Sequence, residues 1–227
     1  MNFKIKNDIS PDNNAGIFDV PQLMTIIGEE AMEMAHKLRD YGYEEVNINL
    51  GCPSGTVVSK GRGSGILANP ERLDNFLYEL YSISDMKVTI KTRVGFENDE
   101  RWDELLQIYC KYPISELTRL YDFDKAYQMI DQTKTRLVYN GDIDSPDKFM
   151  DLSERYPDVN SFMIGRGMFM HPSLAAQIKG LTMEEAEYRQ RLKGWHDEIL
   201  NGYLAIFSGE KDAIFRMKEI WSYLRLD

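Results

Sequence analysis

Cys52 is the residue whose type and position best suit chemistry. It lies in the segment Asn49-Leu-Gly-Cys-Pro-Ser54, directly after a pattern that is typical of a β-strand. A structural cysteine is usually buried among apolar side chains, whereas glycine and proline beside a strand end are typical of a loop. We therefore interpret Cys52 as a reactive thiol. Cys110 ends a helical pattern, and we interpret it as structural.

Polar residues recur on one side of the strands near Cys52. Successive side chains of a strand point to opposite faces of its sheet, so Glu45–Leu50 and Lys87–Arg93 each place their apolar residues on one face. The other face carries Asn47, Asn49, Thr89, Lys91 and Arg93. Two later strand patterns end at Asn140-Gly141-Asp142 and Gly165-Arg166-Gly167. A (β/α) barrel builds its active site from the carboxyl ends of its strands, so these four strand ends predict a site.

Strand and helix patterns alternate from a first strand at Asp19–Thr25 to a last strand at Val159–Ile164, which predicts a parallel sheet. The connections fit an open doubly wound sheet or a barrel. We count six strands rather than the eight of a complete barrel. Beyond Thr182 the pattern is helical only. Asn69 followed by Pro70 predicts the start of a helix, because asparagine caps helices and proline suits the first turn.

Two glycine-rich segments suggest ligand contacts. Gly61-Arg-Gly-Ser-Gly65 is not a dinucleotide-binding fingerprint, because Ile66 stands where that motif needs glycine. We interpret it as a mobile loop whose backbone approaches a ligand closely. Gly165-Arg166-Gly167 follows the last strand and suits a phosphate, which backbone N–H groups and a guanidinium both bind.

Composition bounds the class of protein. The chain has 227 residues, a net charge of −10 and two cysteines, which favours a reducing cytoplasm over a disulfide-rich secreted protein. No apolar run approaches the roughly 18 residues that a membrane helix needs. The three histidines lie far apart in the sequence, so we expect no metal site. The acidic balance argues against nonspecific binding of nucleic acid, which depends on neutralising phosphates.

Six segments together resemble the tRNA-dihydrouridine synthase family. They are Pro21-Gln22-Leu23, Asn47-Ile-Asn-Leu-Gly-Cys-Pro-Ser54, Gly61-Arg-Gly-Ser-Gly-Ile-Leu67, Lys91-Thr-Arg93, Tyr139-Asn-Gly-Asp142 and Gly165-Arg-Gly167. The helical segment Arg216–Leu224 also resembles the family's C-terminal domain. The match runs along nearly the whole chain in the expected order.

The resemblance implies an α/β fold, a (β/α)8 TIM barrel that binds FMN over residues 1–180, with a C-terminal helical tRNA-binding domain over residues 181–227. It implies a cytoplasmic flavin-dependent oxidoreductase in which NADPH reduces FMN and uridine in tRNA becomes 5,6-dihydrouridine. A hydride then goes to C6 of the flipped-out uridine, and Cys52 is the general acid that protonates C5. A thiol suits this role, since the acid must hold its proton until the ring accepts it.

The resemblance also assigns binding residues. Gln22 and Lys91 would contact the isoalloxazine ring, and the positive charge of Lys91 would stabilise a reduced flavin. Asn49 and Arg93 would bind the substrate. The FMN phosphate would be held by Asn140, Gly141, Gly165 and Arg166. The candidates for a basic tRNA track are Lys60, Arg62, Arg93, Arg189, Arg191, Lys193, Arg216 and Lys218.

The chain also departs from the family pattern, so the barrel is expected to be incomplete. The family's first strand, with its Ala-Pro-Met motif, has no counterpart here. The His-(Gly/Pro)-Arg motif after the family's sixth strand is also missing, because Ile114–Thr118 runs straight into the next helix pattern. Two alternatives stay open: another FMN barrel oxidoreductase that acts on a small molecule, and a non-catalytic relative that binds RNA or a protein.

Overall fold

The described strands form one parallel sheet. The computed structural model describes residues 3–120, 123–207 and 209–224. The strands are β1 (Gln22–Leu23), β2 (Glu45–Asn49), β3 (Lys87–Arg93), β4 (Glu116–Leu120), β5 (Arg136–Asn140) and β6 (Phe162–Met163). All neighbouring pairs are parallel, and the six strands lie side by side in sequence order. The predicted strand number and orientation are therefore confirmed.

The strand order decides between the two predicted architectures. A doubly wound sheet reverses its strand order at a switch point, whereas this sheet runs from β1 to β6 without a reversal. Right-handed crossovers between successive parallel strands then place the connecting helices on one face. Within the described ranges β1 and β6 each pair on one side only, so the sheet has two edges there. A singly wound parallel sheet is what the structure establishes.

Helices connect the strands and continue beyond them. The first part of the chain contains α1 (Phe3–Asp8), α2 (Gly28–Arg39), α3 (Gly55–Val58), a 3-10 helix (Gly63–Ala68), α4 (Pro70–Ile83), α5 (Trp102–Tyr109) and α6 (Phe123–Met129). The remainder contains α7 (Pro146–Arg155), α8 (Arg166–Met170), α9 (Leu174–Ile178), α10 (Glu185–Ile206) and α11 (Glu210–Trp221). The side chain of Asn69 accepts the backbone N–H of Arg72, which confirms the predicted cap of α4.

The chain divides into two compact units. The first unit comprises Met1–Asn140 with Asp158–Met163, and the second comprises Gly141–Pro157 with Ile164–Asp227. The first unit contains the whole sheet, and the second contains α7 to α11. The domain boundary that the sequence suggests between residues 180 and 181 stays a prediction.

The core of the first unit lies between the sheet and its helices. Val46, Ile48, Val88, Ile90 and Leu117 share the apolar face and are each less than 4% exposed. Burying one such side chain stabilises the fold by roughly 1.5–3 kcal/mol. Packing against this face therefore fixes the strands, and with them the residues on the opposite face.

Several elements differ from their predicted extents. The strand predicted at Asp19–Thr25 is only two residues long, and so is the one predicted at Val159–Ile164. Both are edge strands, so each gains ladder hydrogen bonds from one neighbouring strand only. Residues 63–65 of the glycine-rich segment predicted as a mobile loop instead begin the 3-10 helix, in which Gly63 and Ser64 are buried.

Candidate functional site

The register of the sheet gathers the predicted polar residues on one face. Paired residues of parallel strands share a face. Gln22 pairs with Asn47 and Asn47 with Thr89. One layer nearer the carboxyl ends, Asn49 pairs with Lys91 and Lys91 with Thr118. The predicted alternation in β2 and β3 is therefore confirmed, and the structure adds Gln22 and Thr118 to the same polar face.

Asn49 holds the backbone of the loop that carries Cys52. Its Oδ1 accepts the N–H of Gly51 at 3.0 Å and the N–H of Cys52 at 2.9 Å. Its Nδ2 donates to Oε1 of Gln22 at 2.6 Å. Asn49 therefore connects the strand to the cysteine loop through backbone contacts, in addition to the substrate contact that the resemblance implies.

The 3-10 helix supports Cys52 from the other side. The N–H and the hydroxyl of Ser64 donate to the Cys52 carbonyl at 2.9 and 3.1 Å. Gly63 has a φ of +55°, and a Cβ at this position would lie 2.6 Å from the Cys52 carbonyl oxygen. The glycine is therefore needed for close packing against Cys52, whereas the sequence suggested that this segment approaches a ligand. Cys52 itself is half-buried.

Lys91 and Thr118 carry polar groups that the described part of the chain leaves without partners. Burial lowers the pKa of Lys91, and no described residue forms an ion pair with it. Thr118 is fully buried, and its hydroxyl has no hydrogen-bond partner among the described residues; the same holds for Nε of Arg93. Buried polar groups are normally hydrogen-bonded. An unpaired ammonium beside an unpaired hydroxyl is suited to an anionic or hydrogen-bonding ligand.

The residues predicted to hold a phosphate lie in both units. In the first unit Asn140 ends β5, and its Nδ2 donates to the Met163 carbonyl at 2.9 Å. In the second unit Gly141 precedes α7 and Gly165 precedes α8, and a Cβ at Gly165 would meet open space. Arg166 forms an ion pair with Asp142 in that unit. The structure thus gives each residue a place in its own unit, and their role stays a prediction.

Half of the candidate basic residues for RNA are paired with acids. Arg62 contacts Glu30 at 3.6 Å, and three cations of α10 contact acids four positions away. These three are Arg189, Arg191 and Lys193. Exposed pairs of this kind contribute little and exchange partners readily. The predicted tRNA track therefore stays a prediction.

Sequence reasoning missed two features of this site. Thr118 was not predicted as a site residue. It follows Glu116 by two residues, so the alternation in β4 could have placed it on the polar face. Ser64 was quoted as part of a glycine-rich motif, but no local signal indicated that its side chain would bind the Cys52 carbonyl. Cys110, interpreted as structural, is exposed at the end of α5 and lies outside the core.

No described helix is both long enough and apolar enough to cross a bilayer. No cluster of three or more His, Cys, Asp and Glu side chains with the spacing of a metal site occurs in the described ranges.

Comparison with known protein families matches residues 4–199 to the family described as dihydrouridine synthase (Dus). The chain belongs to the dihydrouridine synthase family. The match includes β1 to β6 and Cys52, so the polar face described above lies within the family's shared region.

Individual relatives carry related descriptions. A probable tRNA-dihydrouridine synthase of Staphylococcus aureus is 25% identical over 215 residues, which cover 87% of this chain and 62% of the relative. Another from Staphylococcus epidermidis is 28% identical over 160 residues, covering 63% of this chain and 48% of the relative. Probable tRNA-dihydrouridine synthase 2 of Bacillus subtilis is 29% identical over 160 residues, covering 63% and 49%. The chain thus spans about half to two thirds of the length of these relatives.

Proposed function

We propose that this chain is a tRNA-dihydrouridine synthase, an oxidoreductase that uses FMN and NADPH to reduce uridine in tRNA to 5,6-dihydrouridine. The observation that carries the proposal is the polar strand face that leads from Lys91 to the Cys52 loop, in a chain of the dihydrouridine synthase family. The descriptions of the relatives support the tRNA substrate.

The sheet is proposed to be most of a (β/α)8 barrel, with residues 181–227 as the helical tRNA-binding domain. Parallel strands in sequence order are the arrangement of such a barrel. Asn47, Thr89 and Thr118 are each at most 8% exposed although they lie on the face opposite to the apolar helix-packing face. Burial of both faces is expected when a sheet curves around its own interior.

The residues of the polar face fit FMN. Bound FMN, once reduced by NADPH, would supply a hydride to C6 of the uracil ring. Lys91 would neutralise negative charge on the isoalloxazine ring, and its lack of an ion-pair partner among the described residues suits this role. Gln22 and the orphan hydroxyl of Thr118 would donate or accept hydrogen bonds at the ring. Asn140 is a proposed cofactor contact in the first unit, and Gly141, Gly165 and Arg166 are proposed phosphate contacts in the second.

Cys52 would complete the reduction as the general acid. Its thiol gives a proton to C5 of the uracil, and the thiolate then takes a proton from water. Asn49 and Arg93 would orient the base, and Arg93 has a buried Nε without a partner in the described ranges. The two hydrogens added to the ring are thus accounted for by one hydride and one proton.

The decisive experiment compares Cys52→Ala with Cys110→Ala. Each protein is incubated with FMN, NADPH and an unmodified tRNA transcript, and dihydrouridine is quantified by mass spectrometry of the nucleosides. We expect Cys52→Ala to lose dihydrouridine formation and keep its bound flavin, because the thiol supplies a proton and no flavin contact. Cys110→Ala should keep both. Loss of flavin from Cys52→Ala would contradict the general-acid role and indicate a structural one.

A second candidate function follows from the connection after β4. The strand ends at Leu120 and α6 begins at Phe123, which leaves no room for the histidine motif that the family pattern has there. A non-catalytic relative that binds RNA is therefore the alternative. A purified protein that stays colourless in saturating FMN, and that still binds tRNA, would favour it.

A further inference from the structure

A continuous chain of side-chain hydrogen bonds crosses three strands of the polar face. The Thr89 hydroxyl donates to Oε1 of Glu45 at 3.1 Å. Nδ2 of Asn47 donates to the Thr89 hydroxyl at 2.9 Å. Nε2 of Gln22 donates to Oδ1 of Asn47 at 2.7 Å, and Oε1 of Gln22 accepts from Asn49 at 2.6 Å. The chain ends where Oδ1 of Asn49 accepts backbone N–H groups of the cysteine loop.

Groups at the two ends of this chain, the backbone N–H groups of Gly51 and Cys52 and the carboxylate of Glu45, set the direction of its bonds. An ionised carboxylate can only accept hydrogen bonds, and Glu45 forms an ion pair with Lys87 at 2.5 Å. The Thr89 hydroxyl must then donate to Glu45, so its oxygen is left to accept from Asn47. The carbonyl oxygen of the Asn47 amide is consequently free to accept from Gln22.

The same constraint continues to Cys52. Since Nε2 of Gln22 is committed to Asn47, its Oε1 accepts Nδ2 of Asn49. Oδ1 of Asn49 therefore points to the N–H groups of Gly51 and Cys52. Chains of hydrogen bonds polarise and strengthen one another. The backbone of Cys52 is thus linked to Glu45, at the start of β2, through the side chains of Thr89, Asn47, Gln22 and Asn49.

We propose that Asn47 and Thr89 are positioning residues that hold the Cys52 thiol in place through Gln22 and Asn49. Asn47 is 8% and Thr89 is 1% exposed, so neither relies on solvent as a substitute partner. The importance of the thiol's position for catalysis rests on the proposed function, in which Cys52 is the general acid. A misplaced acid reacts slowly, because proton transfer needs hydrogen-bond reach first.

The test measures alkylation of Cys52 by iodoacetamide, which needs neither flavin nor tRNA. Cys110 in the same molecule is the internal reference, because it is exposed and contacts no member of the hydrogen-bond chain. Asn47→Leu and Thr89→Val both remove a link and keep the side-chain volume similar. We expect each to speed alkylation of Cys52 about fivefold, the population change that one net hydrogen bond supports, and to leave Cys110 unchanged.

Thr89→Ser is the matched control, since it keeps the hydroxyl and loses only a methyl group. If the hydroxyl is what positions the loop, Thr89→Ser alkylates at Cys52 like the parent protein. If Thr89 matters only for packing, Thr89→Ser leaves a cavity and accelerates alkylation more than the isosteric Thr89→Val, which would overturn the proposal. Thr89→Val and Thr89→Ser decide the matter even where Asn47→Leu fails to fold.

The outcome is separable from that of the proposed function. Parent protein that forms no dihydrouridine, yet shows the predicted alkylation pattern, would refute the synthase proposal and support the positioning proposal. If the parent protein forms dihydrouridine but Cys52 of Thr89→Val is alkylated at the parent rate, the synthase proposal is supported and the positioning proposal is refuted.

Discussion

Replacing Thr118 by valine tests whether its unpaired hydroxyl forms a hydrogen bond with a bound ligand. The hydroxyl is fully buried and has no partner among the described residues. Leaving such a group unpaired costs about 1–3 kcal/mol, and valine has the same shape without the hydroxyl. We therefore expect Thr118→Val to raise the free energy of unfolding of the flavin-free protein by about 1 kcal/mol or more.

Flavin binding should respond in the opposite direction. If Thr118 hydrogen-bonds to FMN, valine loses that bond and weakens binding by about 1 kcal/mol, or roughly fivefold in Kd. Stability is measured by urea unfolding of the flavin-free protein, and affinity by the quenching of FMN fluorescence. The prediction is thus that Thr118→Val increases the stability of the flavin-free protein and decreases its affinity for FMN.

Thr92→Val is the matched control, because Thr92 lies on the opposite face of the sheet in the neighbouring strand β3. The Thr92 hydroxyl is buried and lies 2.8 Å from the hydroxyl of Tyr109. Its removal breaks an existing bond, so we expect a loss of about 1 kcal/mol in stability and no change in FMN affinity. The reasoning is refuted if Thr118→Val destabilises the flavin-free protein as Thr92→Val does, because its hydroxyl would then already have a partner.

Two further predictions concern the neighbours of this residue. Burial lowers the folded-state pKa of Lys91 below its usual 10.5, so the unfolded chain binds more protons between the two values and stability rises with pH across that window. Lys91→Met should remove this rise in urea unfolding curves and weaken FMN binding, and an unchanged pH dependence would contradict the assigned burial. Gly63→Ala should destabilise the protein by about 1–3 kcal/mol, measured by urea unfolding, because it combines a positive φ with a clash at Cys52. Gly55→Ala, where a Cβ meets open space, is its control, and equal losses in both variants would refute the packing role of Gly63.

The residues that share a strand face could be predicted from the amino-acid sequence. Alternation in β2 and β3 assigned Asn47, Asn49, Thr89 and Lys91 to a polar face, and the register confirms it. The Asn69 cap was equally predictable. Alternation and capping depend on residues a few positions apart, so they can be recognised within a single strand or helix without knowing what packs against it. The motif segments likewise indicated the family that residues 4–199 match.

The contacts between these residues could not be predicted from the sequence, because they depend on strand pairing and helix packing. The order of the strands placed Thr118 beside Lys91, and packing placed Ser64 against the Cys52 carbonyl. β1 and β6, at the two edges of the described sheet, are only two residues long each. Strand pairing and helix packing join residues that are far apart in the chain, and they follow from burial summed over the whole core. A local sequence pattern carries no information about burial over the whole core. The hydrogen-bond chain from Glu45 to Cys52 could therefore be identified only in the folded structure.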